Sequence, residues 1–202
     1  MSDYESLQKL AYGLVGIMLI FNFLGSTVVY EQEIKSDSEG GLDITYYLDE
    51  LELEDEYGDD SISYDSIGFS EMEDFMTNLG YLTLLTLLAS AFFAWKIKEV
   101  MDGSDDLEIV QKAGYAVFIL AILSALYPVY GIPNALEDDW GEGIGDEGDG
   151  LDYDGGFIGE EKIDDPDFGE IEFDSGPGTG WYLLVLGGIL GFVIYTRVND
   201  LD

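Results

Sequence analysis

The sequence predicts an all-α membrane protein, a bundle of four transmembrane helices with a small antiparallel β element contributed by the first extracellular loop. Two observations carry this prediction. Four apolar runs of 17 to 21 residues contain no charged residue, and about 20 apolar residues are enough for a helix to cross a bilayer core. Thirty-four of the 43 acidic residues lie between these runs, in residues 31–74 and 133–179.

The predicted spans follow one another along the chain. The first is residues 10–30, the second is residues 75–95, and the third is residues 113–132, where Pro128 is expected to kink or end the helix. The fourth, residues 180–196, is the shortest, at about 26 Å if it is helical throughout. Aromatic residues lie near the ends of the runs, as in an interfacial belt: Tyr12, Tyr30, Trp95, Tyr115, Tyr130, Trp181 and Tyr195.

A cleavable signal peptide is the alternative for residues 10–30. The run is longer than the usual apolar stretch of a signal peptide, the residues before it are not positively charged, and no A-x-A site follows. We therefore expect a retained span.

The orientation follows from the positions of Lys and Arg, which concentrate on the cytoplasmic side of a membrane protein. Residues 1–9, 96–112 and 197–202 hold five of the seven basic residues. We predict that both termini and the short middle loop are cytoplasmic. The acidic residues 31–74 and 133–179 then form two extracellular loops of a multi-pass plasma-membrane protein.

The first acidic loop has the pattern of a small sheet. Over residues 46–57, tyrosines and leucines fall on one parity and four glutamates on the other, which is the period of a strand with one packed face. Residues 27–34 and 61–64 also resemble strands. Turn signals are supplied by the pair Gly40–Gly41 and by Gly58 with the aspartate after it.

The second acidic loop differs in composition. Residues 140–156 are rich in Gly and Asp and nearly free of β-branched residues, so they bury too little to offset their ordering entropy. We expect this stretch to be flexible, or ordered only by ions or by packing on the first loop. Residues 170–173 are predicted to add one short strand.

Four acids of the second loop form a candidate site for a hard cation: Asp149, Asp152, Asp154 and Glu161. The last three partly match the ligand spacing of a calcium loop, but Gly150 stands where such a loop has its first acid, which excludes an EF-hand. Dense carboxylates suit calcium and magnesium. We predict a weak, diffuse calcium or magnesium site and no other cofactor; the alternative is a solvated acidic surface.

The composition excludes most catalytic chemistry. The chain has no His and no Cys, which removes imidazole and thiolate groups as bases, nucleophiles and metal ligands. Residues 143–146 are similar to the GxGD string of presenilin-type intramembrane proteases, but those enzymes need their aspartates inside spans, and no predicted span contains one. A hydrolase using loop carboxylates is the remaining alternative. We predict that the protein is not an enzyme.

Partners are limited by charge and by glycine spacing. A net charge of −36 excludes nucleic acid, since phosphate binding needs a basic surface. In the fourth span Gly187 and Gly191 form a G-x-x-x-G pair, which is typical either of a homo-oligomer contact or of close helix packing within one chain. The lipid bilayer is the remaining predicted partner, together with other proteins of the cell envelope.

The layout resembles that of four-span proteins of the claudin and peripheral-myelin-protein type, whose first outer loop folds as a sheet on the helical bundle. The first loop here contains neither the Trp nor the Cys residues of the claudin signature, and the Cys-Cys-Gly motif of tetraspanins is absent too. The resemblance therefore implies an arrangement of elements and no functional residues.

Each acidic loop holds 17 acids and one lysine, a charge that only a saline or divalent-rich exterior screens well. The sequence thus predicts a non-enzymatic structural or interaction component of a salt-adapted cell surface. The alternative is an oligomeric cation channel or transporter subunit with an anionic outer vestibule. Against a channel, the spans hold none of the ionisable groups that usually line ion pathways.

Overall fold

A computed structural model describes residues 2–24, 27–36, 40–103, 107–142, 153–165 and 169–201 of the chain. These ranges contain four α-helices: α1 (Ser2–Phe23), α2 (Ser70–Met101), α3 (Leu107–Glu142) and α4 (Thr179–Asn199). They also contain six strands: β1 (Tyr30–Ser36), β2 (Gly40–Tyr46), β3 (Leu51–Asp55), β4 (Gly58–Ile62), β5 (Gly159–Asp165) and β6 (Gly169–Pro177). A 3-10 turn, Tyr64–Ile67, precedes α2.

The chain divides into two compact units. The helical unit consists of Met1–Gly25, Gly80–Leu126 and Tyr182–Asp202, and the sheet unit consists of Ser26–Leu79 and Tyr127–Trp181. Helices α2, α3 and α4 contribute residues to both units, whereas α1 belongs to the helical unit alone.

All four helices are long and apolar enough to cross a membrane, as the four apolar runs predict. Their ends differ from the predicted spans. Helix α1 begins at Ser2 and ends at Phe23 instead of covering residues 10–30. Acids in its first turn favour the early start, because they complement the positive end of the helix dipole. The β-branched residues Val28 and Val29 favour the extended backbone that follows.

Helix α3 also runs past its predicted end. It continues through Pro128 and Pro133 to Glu142, so of the two alternatives expected at Pro128, a kink or an end, the end is excluded. The first ten residues assigned to the second acidic loop, 133–142, are therefore helical.

Small residues let the helices of the helical unit approach closely. A Cβ atom added at Gly187 would lie 2.8 Å from Met18 Cε on α1, and one at Gly191 would lie 2.8 Å from Ala121 Cβ on α3. The G-x-x-x-G pair thus packs inside a single chain, which is one of the two alternatives that its spacing allows.

The buried polar groups of the helical unit are uncharged and bonded to one another. Thr83 donates a hydrogen bond to Asn22 Oδ1 at 2.9 Å, the hydroxyls of Thr86 and Ser124 lie 3.0 Å apart, and Ser90 donates to a backbone carbonyl. Among the residues described in this unit, no ionisable side chain is buried.

The strands form one antiparallel sheet in the order β4-β3-β2-β1-β6-β5. The first four come from the first acidic loop and confirm its predicted sheet. The predicted turn signals lie at strand starts: Gly40 and Gly41 are the first residues of β2, after residues 37–39, which lie outside the described residues, and Gly58 is the first residue of β4. At the β3–β4 turn the Asp55 carboxylate accepts hydrogen bonds from the N–H groups of Tyr57 and Gly58.

The second acidic loop supplies two strands where one short strand was predicted over residues 170–173. Strand β6 pairs with β1 along seven residues, so this part of the second loop joins the sheet of the first loop. Backbone pairing along a free strand edge stabilises residues whose composition alone does not favour order. Residues 143–152 of the Gly/Asp-rich stretch lie outside the described residues.

Candidate functional site: the acidic face of the sheet

Alternation along the strands gives the sheet two different faces. In β1, Tyr30 and Gln32 are buried, while Glu31 between them is exposed. Because side chains alternate across a strand and directly paired residues share a face, the register assigns every strand residue to one face or the other. We call the face that contains Glu31 the acidic face and the face that contains Gln32 the buried face.

Every strand contributes one acid to a single row on the acidic face. Successive members are directly opposed in the strand register, so the row crosses the whole sheet. Side chains opposed in this way have Cβ atoms about 4.5–5.5 Å apart, and like charges in such pairs are destabilising. We call this set the acid row: Glu160, Asp174, Glu33, Asp43, Glu54 and Asp59.

The next row of the same face has opposite charges in register. Glu172 on β6 is directly opposed to Lys35 on β1 and to Lys162 on β5. Lys162 Nζ lies 2.8 Å from Glu170 and 2.9 Å from Glu172, and Lys35 Nζ lies 2.8 Å from Glu33. Lys162, Glu172 and Lys35 form what we call the lysine row.

Ion pairing shifts the titration of the lysine row. The hydrogen bond from Lys162 holds the pKa of Glu172 below its usual value. Hydrogen bonds to Glu170 and then to Glu172 raise the pKa of Lys162, and the bond to Glu33 raises the pKa of Lys35. These charges therefore persist over a wider pH range than in isolated side chains.

An open groove of about 490 Å³ lies on the acidic face. Its lining includes five carboxylates, four of which belong to the acid row: Glu31, Glu33, Asp43, Glu54 and Asp174. Within this groove the field of the sheet is negative, so cations concentrate there.

Salt sets the electrostatic cost of the acid row. Two unit charges about 5 Å apart in water repel by about 0.8 kcal/mol before screening. With a Debye length of about 8 Å at 0.15 M and about 3 Å at 1 M, that repulsion falls to about 0.4 and about 0.2 kcal/mol. Summed over the five neighbouring pairs of the row, molar salt removes on the order of 1 kcal/mol of repulsion.

The buried face directly behind this row carries a neutral polar network. Tyr46 donates to Gln32 Oε1 at 3.1 Å, and Gln32 Nε2 donates to Tyr153 at 3.1 Å and to Ser175 at 3.3 Å. Burial raises the pKa of Tyr46 well above its ordinary value, so its hydroxyl remains a donor. The network joins the two acidic loops, because Gln32 and Tyr46 come from the first loop and Tyr153 and Ser175 from the second.

Aromatic rings hold β6 against the rest of the sheet unit. Phe173 meets Tyr153 and Trp140 edge-on, with ring centroids 5.1 and 5.5 Å away, and Trp140 meets Phe69 at 5.2 Å. Such contacts stabilise beyond the area they bury, typically by about 0.5–1.5 kcal/mol per pair.

Asp139 is a structural residue that sequence reasoning missed. Its buried carboxylate accepts hydrogen bonds from the backbone N–H groups of Glu71 at 2.9 Å and Met72 at 2.8 Å, so it caps the first turn of α2. The cap comes from α3, more than 60 residues away in sequence. No local pattern signals such a partner; the only hint is an acid beside Trp140.

The predicted cation site is only partly described. Asp149 and Asp152 lie outside the described residues, as do residues 143–146 with their GxGD string. Asp154 and Glu161 do come together, through a hydrogen bond of 2.9 Å from the Asp154 backbone N–H to Glu161 Oε1. Within the described part of the chain, no three acidic side chains converge closely enough to hold a metal ion.

The arrangement offers a fixed field of negative charge. Among the Asp and Glu residues of the described ranges, only Asp139 is buried. Both of its carboxylate oxygens accept hydrogen bonds from backbone N–H groups. No protein-family model matches the sequence, and a search of curated proteins finds no match.

Proposed function

We propose that the chain is a four-span plasma-membrane protein that serves as a non-enzymatic structural or interaction component of a salt-adapted cell surface. Both termini are cytoplasmic, and the six-stranded sheet faces the exterior in a claudin-like layout. The observation that carries the proposal is the acid row, in which each strand of the sheet contributes one carboxylate in register. A sheet with this row is best suited to an environment that screens charge.

Two further observations support a structural role. The described residues of the helical unit bury only uncharged polar side chains, whose hydroxyls bond to each other or to backbone carbonyls. At Gly187 and Gly191 neighbouring helices approach so closely that no side chain would fit. Such a unit favours tight helix packing over a water-filled path, since ion pathways usually contain ionisable groups.

The acidic face is the proposed contact surface. It binds cations weakly, as a counter-ion layer, and meets other envelope proteins through its exposed carboxylates. Charge complementarity of this kind sets specificity and association rate more than affinity. We also propose that calcium or magnesium binds weakly near Asp154 and Glu161.

Thermal unfolding of the full-length chain in detergent micelles at 0.15 M and 3 M KCl tests the salt adaptation. We expect a higher midpoint at 3 M, and a smaller salt effect in the double variant Asp43→Asn with Glu54→Gln. The matched control is Glu137→Gln with Asp138→Asn, two exposed acids on α3 outside the sheet. A midpoint that does not change with salt would refute the salt adaptation.

Labelling and crosslinking test the placement and the partners. Since the chain has no cysteine, single cysteines at Tyr57 and Asp102 report separately on the two sides of the membrane. An impermeant maleimide should label the first and not the second in intact cells. Crosslinking in native membranes should recover neighbouring envelope proteins; recovery of the chain alone would contradict an interaction role.

A further inference from the structure

The pairing of β1 with β6 joins two separate parts of the sheet. Strands β1 to β4 follow one another in antiparallel pairs, and β5 pairs with β6. The β1–β6 pairing, with Tyr30 opposite Pro177 at one end and Ser36 opposite Ile171 at the other, connects these two parts. We call this pairing the seam.

Both sides of the seam are strongly negative. Strands β1 to β4 carry eight acids and one lysine, and β5 and β6 carry seven acids and one lysine. At the seam itself, Glu33 and Asp174 of the acid row are directly opposed, and Lys35 opposite Glu172 is the counteracting pair. The two parts therefore repel each other, and the repulsion grows as salt is diluted.

The buried side of the seam is also partly polar. Gln32 is directly opposed to Ser175, whereas the β2–β3 pairing buries Ile44 opposite Leu53. The hydrogen bonds of Gln32 can be replaced by water when the strands separate, so this pair resists opening less than an apolar pair does. Phe173 lies opposite Ile34, and the burial of its ring stabilises the closed seam relative to the open one.

One end of the seam is fixed. The N–H of Gly178 donates to Val29 O at 3.1 Å and the N–H of Gly180 donates to Val28 O at 2.6 Å. A Cβ atom at Gly178 would clash with the backbone carbonyl of Val28, so backbone is held tightly against backbone here. Separation therefore starts at the other end, where Ser36 faces Ile171.

We propose that β5 and β6 open from β1 as one unit, and that ionic strength sets how often they do so. A saline exterior keeps the seam closed, and dilution raises the open population, because screening acts on the charges that face each other across it. This inference rests on the proposed function in one respect, the saline exterior of the sheet. It makes the seam a dilution-sensitive joint between the two acidic loops.

Amide hydrogen exchange of the full-length chain in micelles, at 0.15 M and 3 M KCl, tests the joint. We expect β5 and β6 to exchange roughly fivefold faster at 0.15 M, while β3 changes less than about twofold. An equal change in all six strands would overturn the seam as the responsive element and leave the general salt adaptation intact. If no strand responds to salt, the proposed function fails as well.

Two matched substitutions within the acid row test whether charges at the seam cause the salt dependence of hydrogen exchange. Asp174→Asn removes a charge at the seam, and Asp59→Asn removes one from β4 at the outer end of the same row. The first should reduce the salt dependence of β6 exchange by about twofold, and the second should leave it unchanged. The opposite ranking would contradict the proposal.

A disulfide lock gives an independent test in a chain that has no cysteine of its own. Lys35→Cys with Glu172→Cys crosses the seam next to its free end and removes one charge of each sign, and Thr45→Cys with Glu52→Cys crosses the β2–β3 pairing. The reduced form of each variant is its control. Oxidation of the seam pair should abolish the salt response of β5 and β6; persistence of that response would refute opening at the seam.

Discussion

The two faces of the sheet belong to the same strands but carry different kinds of polar side chain. On the buried face Gln32 is neutral and has three hydrogen-bond partners at fixed positions. On the acidic face the members of the acid row are charged and oppose one another directly. The difference shows that charge is placed where water and ions screen it, and that polar groups out of water are neutral and paired.

The largest expected effect comes from placing a charge on the buried face. Gln32→Glu keeps the shape of the side chain but replaces two donated hydrogen bonds with a carboxylate facing hydroxyl groups. We expect a loss of about 3–5 kcal/mol, as for other uncompensated buried charges. Chemical unfolding at 3 M KCl measures it.

High salt should not rescue this variant, because mobile ions do not reach a side chain that is 2 % exposed. Gln32→Met is the control that removes polarity without adding charge, and its cost should be smaller, about 1–3 kcal/mol, since only the Tyr46 hydroxyl loses its acceptor. If Gln32→Glu and Gln32→Met lowered the free energy of unfolding equally, the added charge would not be what destabilises the buried face.

The buried carboxylate of Asp139 provides the second test. Asp139→Ala leaves the N–H groups of Glu71 and Met72 without their acceptor, so we expect a loss of about 1–2 kcal/mol, seen as a lower unfolding midpoint at every salt concentration. Asp138→Ala, at the exposed neighbouring position, should have little effect. If the loss of stability depended on salt, Asp139 would act as a solvent-screened charge, like the acid row, and not as a buried hydrogen-bond acceptor.

Charge reversal within the acid row should have a smaller effect, of the opposite sign. Asp43→Lys sets a cation between Glu33 and Glu54, which reproduces the alternation of the lysine row. We expect a gain of less than about 1 kcal/mol at 0.15 M that disappears at 3 M. Asp138→Lys on α3 is the control. A gain that persisted in 3 M salt would mean that packing, not screening, is responsible.

The smallest effect is expected in the lysine row, where Glu172→Gln breaks an exposed ion pair. The folded pKa of Glu172 is lowered, so its contribution to stability is present above the unfolded carboxyl pKa and is lost as the pH falls through the folded value. The midpoints of wild type and variant should therefore differ slightly at neutral pH in low salt and converge on acidification. If the two midpoints moved further apart at low pH, Glu172 would not have the lowered folded-state pKa on which this prediction rests.

Local patterns predicted part of the fold well. Charge-free runs identified four helices long enough to cross a membrane, and the alternation of glutamates with leucines identified the sheet of the first loop. The ends of α1 and α3 were missed, because an apolar run marks a bilayer-length segment and not the points where hydrogen bonding stops. Gly40 and Gly41, a predicted turn signal, are the first residues of β2, because pairing with β1 extends to them.

The sequence by itself determined the division of the chain into charge-free runs and acidic segments, because hydropathy and charge are properties of single residues. Only the tertiary structure decided that β6 pairs with β1, that Asp139 caps α2, and that six acids from six strands share one row. Those features depend on register and on contacts between distant segments. A shift of one residue in the register would send every side chain of a strand to the opposite face.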